Sequence, residues 1–513
     1  MGFILEMRNI VKRFPRVLAN DRVNFRVREG EIHALVGENG AGKTTLMKIL
    51  YGLYRPDSGE IIWKGKKVDI RTPLDAISLG IGMVHQHFML IPPFTVLDNI
   101  ILGKEPLGKG LFGEIDYKKA RREIEELTQK HGFKLDLDAK VADIPVGMAQ
   151  RVEIIKVLYR GAELLVLDEP TAVLTPQEAE ELFDVLRSLR RNGKTIVFIT
   201  HKLNEVMEIS DRVTVMRGGK VTGEVLTSET SPREIARMMV GREVLLEIKK
   251  TPPKVGEVVL EVKDLWVKDA RGVDAVRGIS FSVREGEVLG IAGVAGNGQT
   301  ELVEAITGLR KAEKGSILIE GRDISFFSPR QIRDEGVAHI PEDRLKRGLV
   351  GNFNLAENVI LGRHYKEPFA RKGLLKKNFI ATYARERIKM YDVRPPDIRA
   401  FASHLSGGNQ QKLILAREIV DEAKLIIASQ PTRGLDIGAI EFVHKKILEE
   451  RGKGKAVLFV SMELDEILSL SDRIIVMYEG ISMGEFKPGE LTREEIGLMM
   501  AGTPLERVKE GLA

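Results

Sequence analysis

The chain is written twice. Val27-Arg28-Glu29-Gly30-Glu31 returns as Val283-Arg284-Glu285-Gly286-Glu287, and Ser210-Asp211-Arg212-Val213 returns as Ser471-Asp472-Arg473-Ile474. Pro232-Arg233-Glu234-Ile235, followed by Met238-Met239-Val240-Gly241, likewise returns as Arg493-Glu494-Glu495-Ile496, followed by Met499-Met500-Ala501-Gly502. So long a spacing is far beyond the ~20–50 residues of a solenoid repeat and dictates tandem domains. The expected division is a first domain over 1–241, a linker over 242–256 and a second domain over 257–513. Within the seam, Thr251-Pro252-Pro253-Lys254 reads as a short, stiff, extended connector.

Each copy alternates β-rich apolar runs with helical patterns. In the first, Ile32 to Val36, Leu164 to Leu167, Thr195 to Ile199 and Val213 to Met216 read as buried strands. One helix carries Leu182, Leu186 and Leu189 on a single face and stops at Gly193. The fold class is therefore α/β, with a mostly parallel sheet core in each copy. A helical insert is expected over about 88–150, where Tyr117, Ala120, Ile124 and Leu127 share a face, Asp116 caps the start and Gly132 stops the helix. Its counterpart, about 344–410, places Ile380, Ala384, Ile388 and Tyr391 on one face.

Between a strand and a helix in the first copy stands Gly37-Glu38-Asn39-Gly40-Ala41-Gly42-Lys43-Thr44-Thr45, a G-x-x-x-x-G-K-[ST] match. Its glycines let successive backbone N–H groups turn toward an anion, and the following helix points its positive end at the same place. Lys43 would reach the β- and γ-phosphates of a nucleotide and the Thr44 hydroxyl would ligate Mg2+. Leu164 to Leu167 ends in Asp168-Glu169, at the strand edge where an α/β sheet presents groups to a ligand. Asp168 fits the Mg2+-associated acid, and Glu169 a general base for the attacking water.

Composition excludes several other chemistries. There is no cysteine, so disulfides, thiolate zinc sites, iron–sulfur clusters and cysteine nucleophiles are out. No run approaches the roughly 18 apolar residues of a membrane span, and the N-terminal residues lack a signal-peptide pattern, so a cytoplasmic chain is expected. The net charge of +5 on a chain with 30% charged residues is a small excess and gives little support to nucleic-acid binding. His85-x-His87 lacks a third ligand at fitting spacing and reads as ordinary histidine.

With these pieces assembled, the sequence resembles the ATPase subunits of ABC transporters over nearly its whole length. The most specific match is Leu405-Ser406-Gly407-Gly408-Asn409-Gln410-Gln411, similar to the family's signature motif. The resemblance implies that Gln86 is the glutamine that joins Thr44 and Asp168 at Mg2+, His201 the switch histidine and Phe14 the ring that stacks on adenine. It further implies that two such domains pack head to tail around ATP. A first composite site would then join Phe14, the loop residues Gly37, Asn39, Gly40, Ala41, Gly42, Lys43, Thr44 and Thr45, and Gln86, Asp168, Glu169 and His201, with Ser406, Gly407, Gly408 and Gln410.

The second site departs from the pattern. Lys43 becomes Gln299, Gln86 becomes Glu342, Asp168 becomes Ser429, Glu169 becomes Gln430 and His201 becomes Met462. The signature opposite it is reduced to Ile144-Pro145-Val146-Gly147-Met148, and Asp269 stands near the stacking position, with Trp266 as the substitute ring. Losing the lysine alone forfeits about 4 kcal/mol of gross charge contact at an effective dielectric of about 20. Asp436 keeps an acid of the family's D-loop where the first copy has Thr175. One hydrolytic and one non-hydrolytic site are expected.

A duplicated chain with a degenerate second half is similar to the importers of ribose, galactose and simple nucleosides. His85 to Leu90, Pro341-Glu342-Asp343-Arg344 and Ser429-Gln430 are most similar to the nucleoside branch. The resemblance implies two membrane-spanning permease subunits, an extracytoplasmic substrate-binding protein, no nucleic acid, and a peripheral position on the cytoplasmic face of the membrane. Apolar residues over 88–93 are candidates for the permease-facing groove. A ribose or galactose importer is the near alternative. A translation factor or DNA-repair ATPase is the remote one, since such proteins usually keep both signatures or carry zinc cysteines.

Overall fold

The computed structural model describes residues 2–15, 17–85, 89–108, 114–133, 135–171, 174–241, 250–294 and 296–510. The chain divides into two compact units, Met1–Val244 and Leu245–Ala513. In the first, strands β1 (Phe3–Phe14), β2 (Val17–Arg28), β3 (Ile32–Gly37), β4 (Ser58–Trp63), β5 (Lys66–Val68), β6 (Ile81–Val84), β7 (Leu164–Asp168), β8 (Thr195–Thr200), β9 (Arg212–Arg217) and β10 (Lys220–Leu226) form two sheets.

The central sheet runs β10-β9-β3-β8-β7-β6, parallel except for the edge pair β9–β10. Every residue of β3, β6, β7 and β8 is buried, which is why these strands read as unbroken apolar runs rather than as alternation. A second, antiparallel sheet, β2-β1-β4-β5, packs its apolar face onto the other side of the core. This order puts β3 beside β8, so the phosphate loop and Asp168 leave the sheet at the same edge, where parallel-sheet ligand sites form.

The second unit repeats the design. Its central sheet holds Val337–Ile340, Leu425–Ser429, Ala456–Ser461, Val288–Ala292 and Arg473–Tyr478 in parallel, with Ile481–Phe486 antiparallel at the edge. The helices follow the expected periodicities, except that Tyr117, expected on the face of Ala120 and Ile124, is exposed at the helix start. Leu182, Leu186 and Leu189 are buried in the helix Pro176–Arg191, and Asp116 accepts from the Lys119 N–H at the start of Tyr117–His131, which ends at Gly132 with φ 77°. Ile380, Ala384 and Ile388 are buried in Lys377–Met390. No helix among the described residues is long and apolar enough to cross a membrane.

Of the expected apolar stretch 88–93, Phe88 lies outside the described residues. Met89 is exposed, whereas Leu90 packs against the core, and the Ile91 N–H donates to buried Asn99. Its described part, 89–93, is only partly open.

A buried charge cluster fixes the signature helix of the second unit. Its last residue, Glu418, is fully buried against Arg417 and Arg333. Burial pushes its carboxyl up, but the guanidinium groups of Arg417, Arg333 and Arg363 outweigh this and hold it at about 2. A folded-state value below the ordinary 4.5 means that the stabilisation is present above pH 4.5 and is lost as pH falls toward 2. Denaturant unfolding across that window should therefore steepen for the native protein and flatten for Glu418→Gln.

Candidate functional site

The phosphate loop is shaped by positive-φ glycines. Gly40 and Gly42 have φ of 80° and 98°. A Cβ at Gly42 would lie 2.2 Å from the Ala19 carbonyl oxygen, so this position needs glycine on both backbone and contact grounds. Gly42→Ala should cost the first unit about 1–2 kcal/mol from the left-handed backbone alone, read by denaturant unfolding, and should weaken nucleotide binding. Native stability in that variant would mean that the loop relaxes freely.

Asn20 locks the same turn from β2: it is fully buried, and its amide donates to the Gly42 carbonyl at 3.2 Å. No local motif announces Asn20, because its role depends on the β2 register rather than on its neighbours.

Lys43 is buried, and its ammonium donates to the carbonyls of Gly37 at 2.8 Å and Glu38 at 3.0 Å. Burial lowers its pKa, opposed by the charges of Glu169, Asp168 and Glu38. The next residue, Thr44, places its hydroxyl 3.5 Å from an Asp168 carboxylate oxygen. Burial raises the Asp168 pKa, and the adjacent Glu169 charge adds to it.

Glu169 accepts from His201 Nδ1 at 3.0 Å. That hydrogen bond, aided by the His201 and Lys43 charges, outweighs burial and keeps Glu169 below the ordinary carboxylate range, hence ionised. Its backbone φ is 49°, a left-handed conformation costing about 1–3 kcal/mol in a non-glycine residue, held by the Glu169 N–H donating to the Ile199 carbonyl at 3.0 Å. Lys43, Thr44, Asp168, Glu169 and His201 are therefore brought together. Gln86 lies outside the described residues, as does His87. His85 packs edge-on against Tyr51, with ring centroids 5.7 Å apart.

Phe14 is partly exposed and meets Tyr54 edge-on at 5.4 Å. Tyr54, which carries no motif of its own, thus joins the aromatic surface that Phe14 presents.

In the second unit Ser406 stands at the position before the helix Gly407–Glu418; its hydroxyl accepts from the Asn409 side-chain amide at 2.9 Å and makes no cap bond to the helix backbone. The first-turn N–H groups of such a helix have no intrahelical acceptor and face an incoming anion. Gln410 is buried and reaches the Ala402 carbonyl at 3.4 Å, tying the helix to the turn before it. Asp436 caps the helix Ile437–Gly452 and lies against Gly408. Thr175 caps the corresponding helix of the first unit through a box with Glu178. The change between the two residues preserves the cap and removes a charge.

The second phosphate loop keeps the positive-φ glycines, Gly296 at 90° and Gly298 at 93°, and loses its charges. Gln299 is buried and donates to the Val294 carbonyl at 3.2 Å, lying over its own loop much as Lys43 does. Gln430 retains the strained backbone, φ 47°, with its N–H on the Val460 carbonyl at 2.8 Å. Its side chain accepts from the Met462 N–H at 3.4 Å, and an amide has no proton-accepting charge with which to activate water.

The family model for ABC transporters matches residues 20–172 and 276–433. The guanosine import ATP-binding protein NupO of Bacillus subtilis (strain 168) is 53% identical, with 98% of each chain covered. The nucleoside import ATP-binding protein NupA of Lactococcus lactis subsp. cremoris (strain MG1363) is 50% identical over 97% of this chain and 98% of its own. A putative ribose/galactose/methyl galactoside import ATP-binding protein of Burkholderia lata is 42% identical over 94% of this chain and 90% of its own. With two family matches in one chain, and lysine, hydroxyl, carboxylates and histidine assembled around its first phosphate loop, this protein belongs to the ABC transporter family as an ATP-binding, ATP-hydrolysing member.

Proposed function

We propose that the chain is the ATPase subunit of a nucleoside importer, working with two membrane-spanning permease subunits and, through them, an extracytoplasmic substrate-binding protein. It would sit peripherally on the cytoplasmic face of the membrane. The observation that carries the substrate class is near-full-length identity of 53% and 50% to proteins named for guanosine and nucleoside import. The 42% identity to a protein named for ribose and galactose import keeps a sugar as the second reading.

In this reading hydrolysis is confined to the first phosphate loop. Lys43 and the loop N–H groups hold the phosphates, and Glu169, ionised and oriented by His201, takes the proton of the attacking water. Thr44 and Asp168 form a hard oxygen pair at 3.5 Å, which suits Mg2+ bound together with nucleotide phosphates; Gln86 is assigned to the same ion. When bound, the ion neutralises developing phosphate charge. Ser406, Gly407 and Gly408 are assigned as further phosphate donors, with the domain limits and linker as read from the repeat.

Reconstitution with candidate permease subunits, comparing ATP-driven uptake of labelled nucleosides and pentoses, tests the reading. Nucleoside uptake is the expected result, and pentose uptake alone would transfer the assignment to sugars. ATPase activity stimulated by ribosomes or nucleic acid, and indifferent to membrane subunits, would overturn the transport role.

A further inference from the structure

Glu169 and His201 leave two different strands, β7 and β8, and one side chain holds both strand ends. Glu205, in the first turn of the helix Leu203–Ile209, accepts from the Thr171 hydroxyl at 2.6 Å through Oε1 and from the Thr200 hydroxyl at 2.9 Å through Oε2. Thr171 lies two residues after Glu169, and Thr200 immediately precedes His201. The Thr200 hydroxyl also accepts from the Lys202 N–H at 3.0 Å, so the residues on either side of His201 are tied to the same carboxylate. Both threonines are buried and the Glu205 side chain is nearly so. A carboxylate has acceptor sites on each oxygen and can take one hydroxyl on each, which lets a single residue set the separation of two strand ends.

The second unit carries the same bonds without the chemistry. Glu466 accepts from Thr432 at 2.7 Å and from Ser461 at 2.9 Å, the repeat counterparts of Thr171 and Thr200, although Gln430 and Met462 have replaced the base and the imidazole. There both hydroxyls share Oε2, and Oε1 meets His444 Nε2 at 3.1 Å. In the first unit Phe183 takes the place of His444 and packs edge-on against Phe198 of β8, and the two hydroxyls are divided one to each oxygen. Retention of the bonds in the degenerate unit gives them a role in the fold of both. In the first unit the same bonds lie directly behind the pair that hydrolysis uses.

We propose that Glu205 is a positioning residue for ATP hydrolysis: by bridging Thr171 and Thr200 it keeps the His201 imidazole within hydrogen-bond distance of Glu169. It transfers no proton of its own and acts through the His201–Glu169 bond at 3.0 Å. The inference rests on the reading of Glu169 as the base and His201 as its orienter. The phosphate loop is fixed from another side, by Asn20 of β2 and by its own glycines, so nucleotide affinity should be independent of Glu205 while turnover depends on it.

The test measures kcat and ATP affinity separately in the full chain. Glu205→Gln keeps the side chain's size but turns an amide N–H donor toward one of the two hydroxyls. It should lower kcat by about 10- to 100-fold, the order of cost of a misplacement near 1 Å, and leave equilibrium ATP binding unchanged. Thr171→Val, which deletes one of the bonds, should act in the same direction, and Thr171→Ser, which keeps the hydroxyl, should retain native turnover. Glu466→Gln removes the equivalent bonds where no base stands, so it reads the purely structural share and should leave kcat within a few-fold of native. In a Glu169→Gln background Glu205→Gln should add no further loss, because residues that act as one unit are not additive. Equal losses in Glu205→Gln and Glu466→Gln, a fall in ATP affinity that matches the fall in kcat, or an additive loss in the Glu169→Gln background would overturn the assignment. Native turnover in Glu169→Gln alone would remove the reading beneath it, whereas impaired Glu169→Gln beside native Glu205→Gln would overturn this inference and leave that reading standing.

Discussion

Glu169→Gln is expected to lower the ATPase kcat by about 10²- to 10⁴-fold while leaving ATP binding in place. The side chain keeps its size, so the strained backbone at φ 49° and the N–H bond to Ile199 have no steric reason to change. What disappears is the proton-accepting charge. In the native protein the His201 hydrogen bond, together with the charges of His201 and Lys43, holds that carboxyl below its ordinary range. This carboxylate is thus ionised near neutral pH, and no acid limb of the rate profile there should arise from Glu169. Single-turnover hydrolysis with equilibrium binding in parallel separates the two effects. Native turnover in the variant would remove Glu169 from the chemistry.

The second large effect is the difference between the two halves. Lys43→Ala should lower turnover by about 10²- to 10³-fold, the usual cost of removing one preorganised group from developing charge. The equivalent change in the second unit, Gln299→Ala, deletes only a neutral amide bound to the Val294 carbonyl and should leave turnover within a few-fold of native by the same reasoning. The reverse exchange, Gln299→Lys, should not create a second hydrolytic site, because Gln430 and Met462 still stand where the first unit has Glu169 and His201, the proposed base and its orienter. Steady-state ATPase rates of the three proteins decide it. Equal losses in Lys43→Ala and Gln299→Ala would mean that the halves share the chemistry.

Much of the site was legible because its parts lie in short local motifs. The phosphate loop and the strand ending in Asp168-Glu169 each depend on neighbours within a few positions, as does the Ser406-Gly407-Gly408 helix start proposed to contribute phosphate donors. The duplication made the losses at Gln299, Ser429 and Gln430 visible without any coordinates. Asn20 and Tyr54 escaped notice because nothing near them in sequence marks them. One acts across the β2 register on Gly42, the other through a ring contact with Phe14. The partial burial of 89–93 was equally hidden, since the Ile91–Asn99 hydrogen bond and the core contact of Leu90 depend on how the insert packs.

By itself, then, the sequence determined the two-domain plan, the α/β class and the chemical inventory of each half, because periodicity, repeat and motif are properties of adjacent residues. Only the tertiary structure decided how that inventory is used. The β3-β8-β7 order brings Lys43, Thr44, Asp168, Glu169 and His201 to one sheet edge. The corresponding strands of the second unit bring Glu342 to Thr300 with Arg433 behind it. A substitution list records Glu342 and Ser429 as two separate departures, a charge gained and a charge lost. Their placement at neighbouring strand ends turns them into one relocated charge, because electrostatic equivalence is set by distance in space and not by position in the chain.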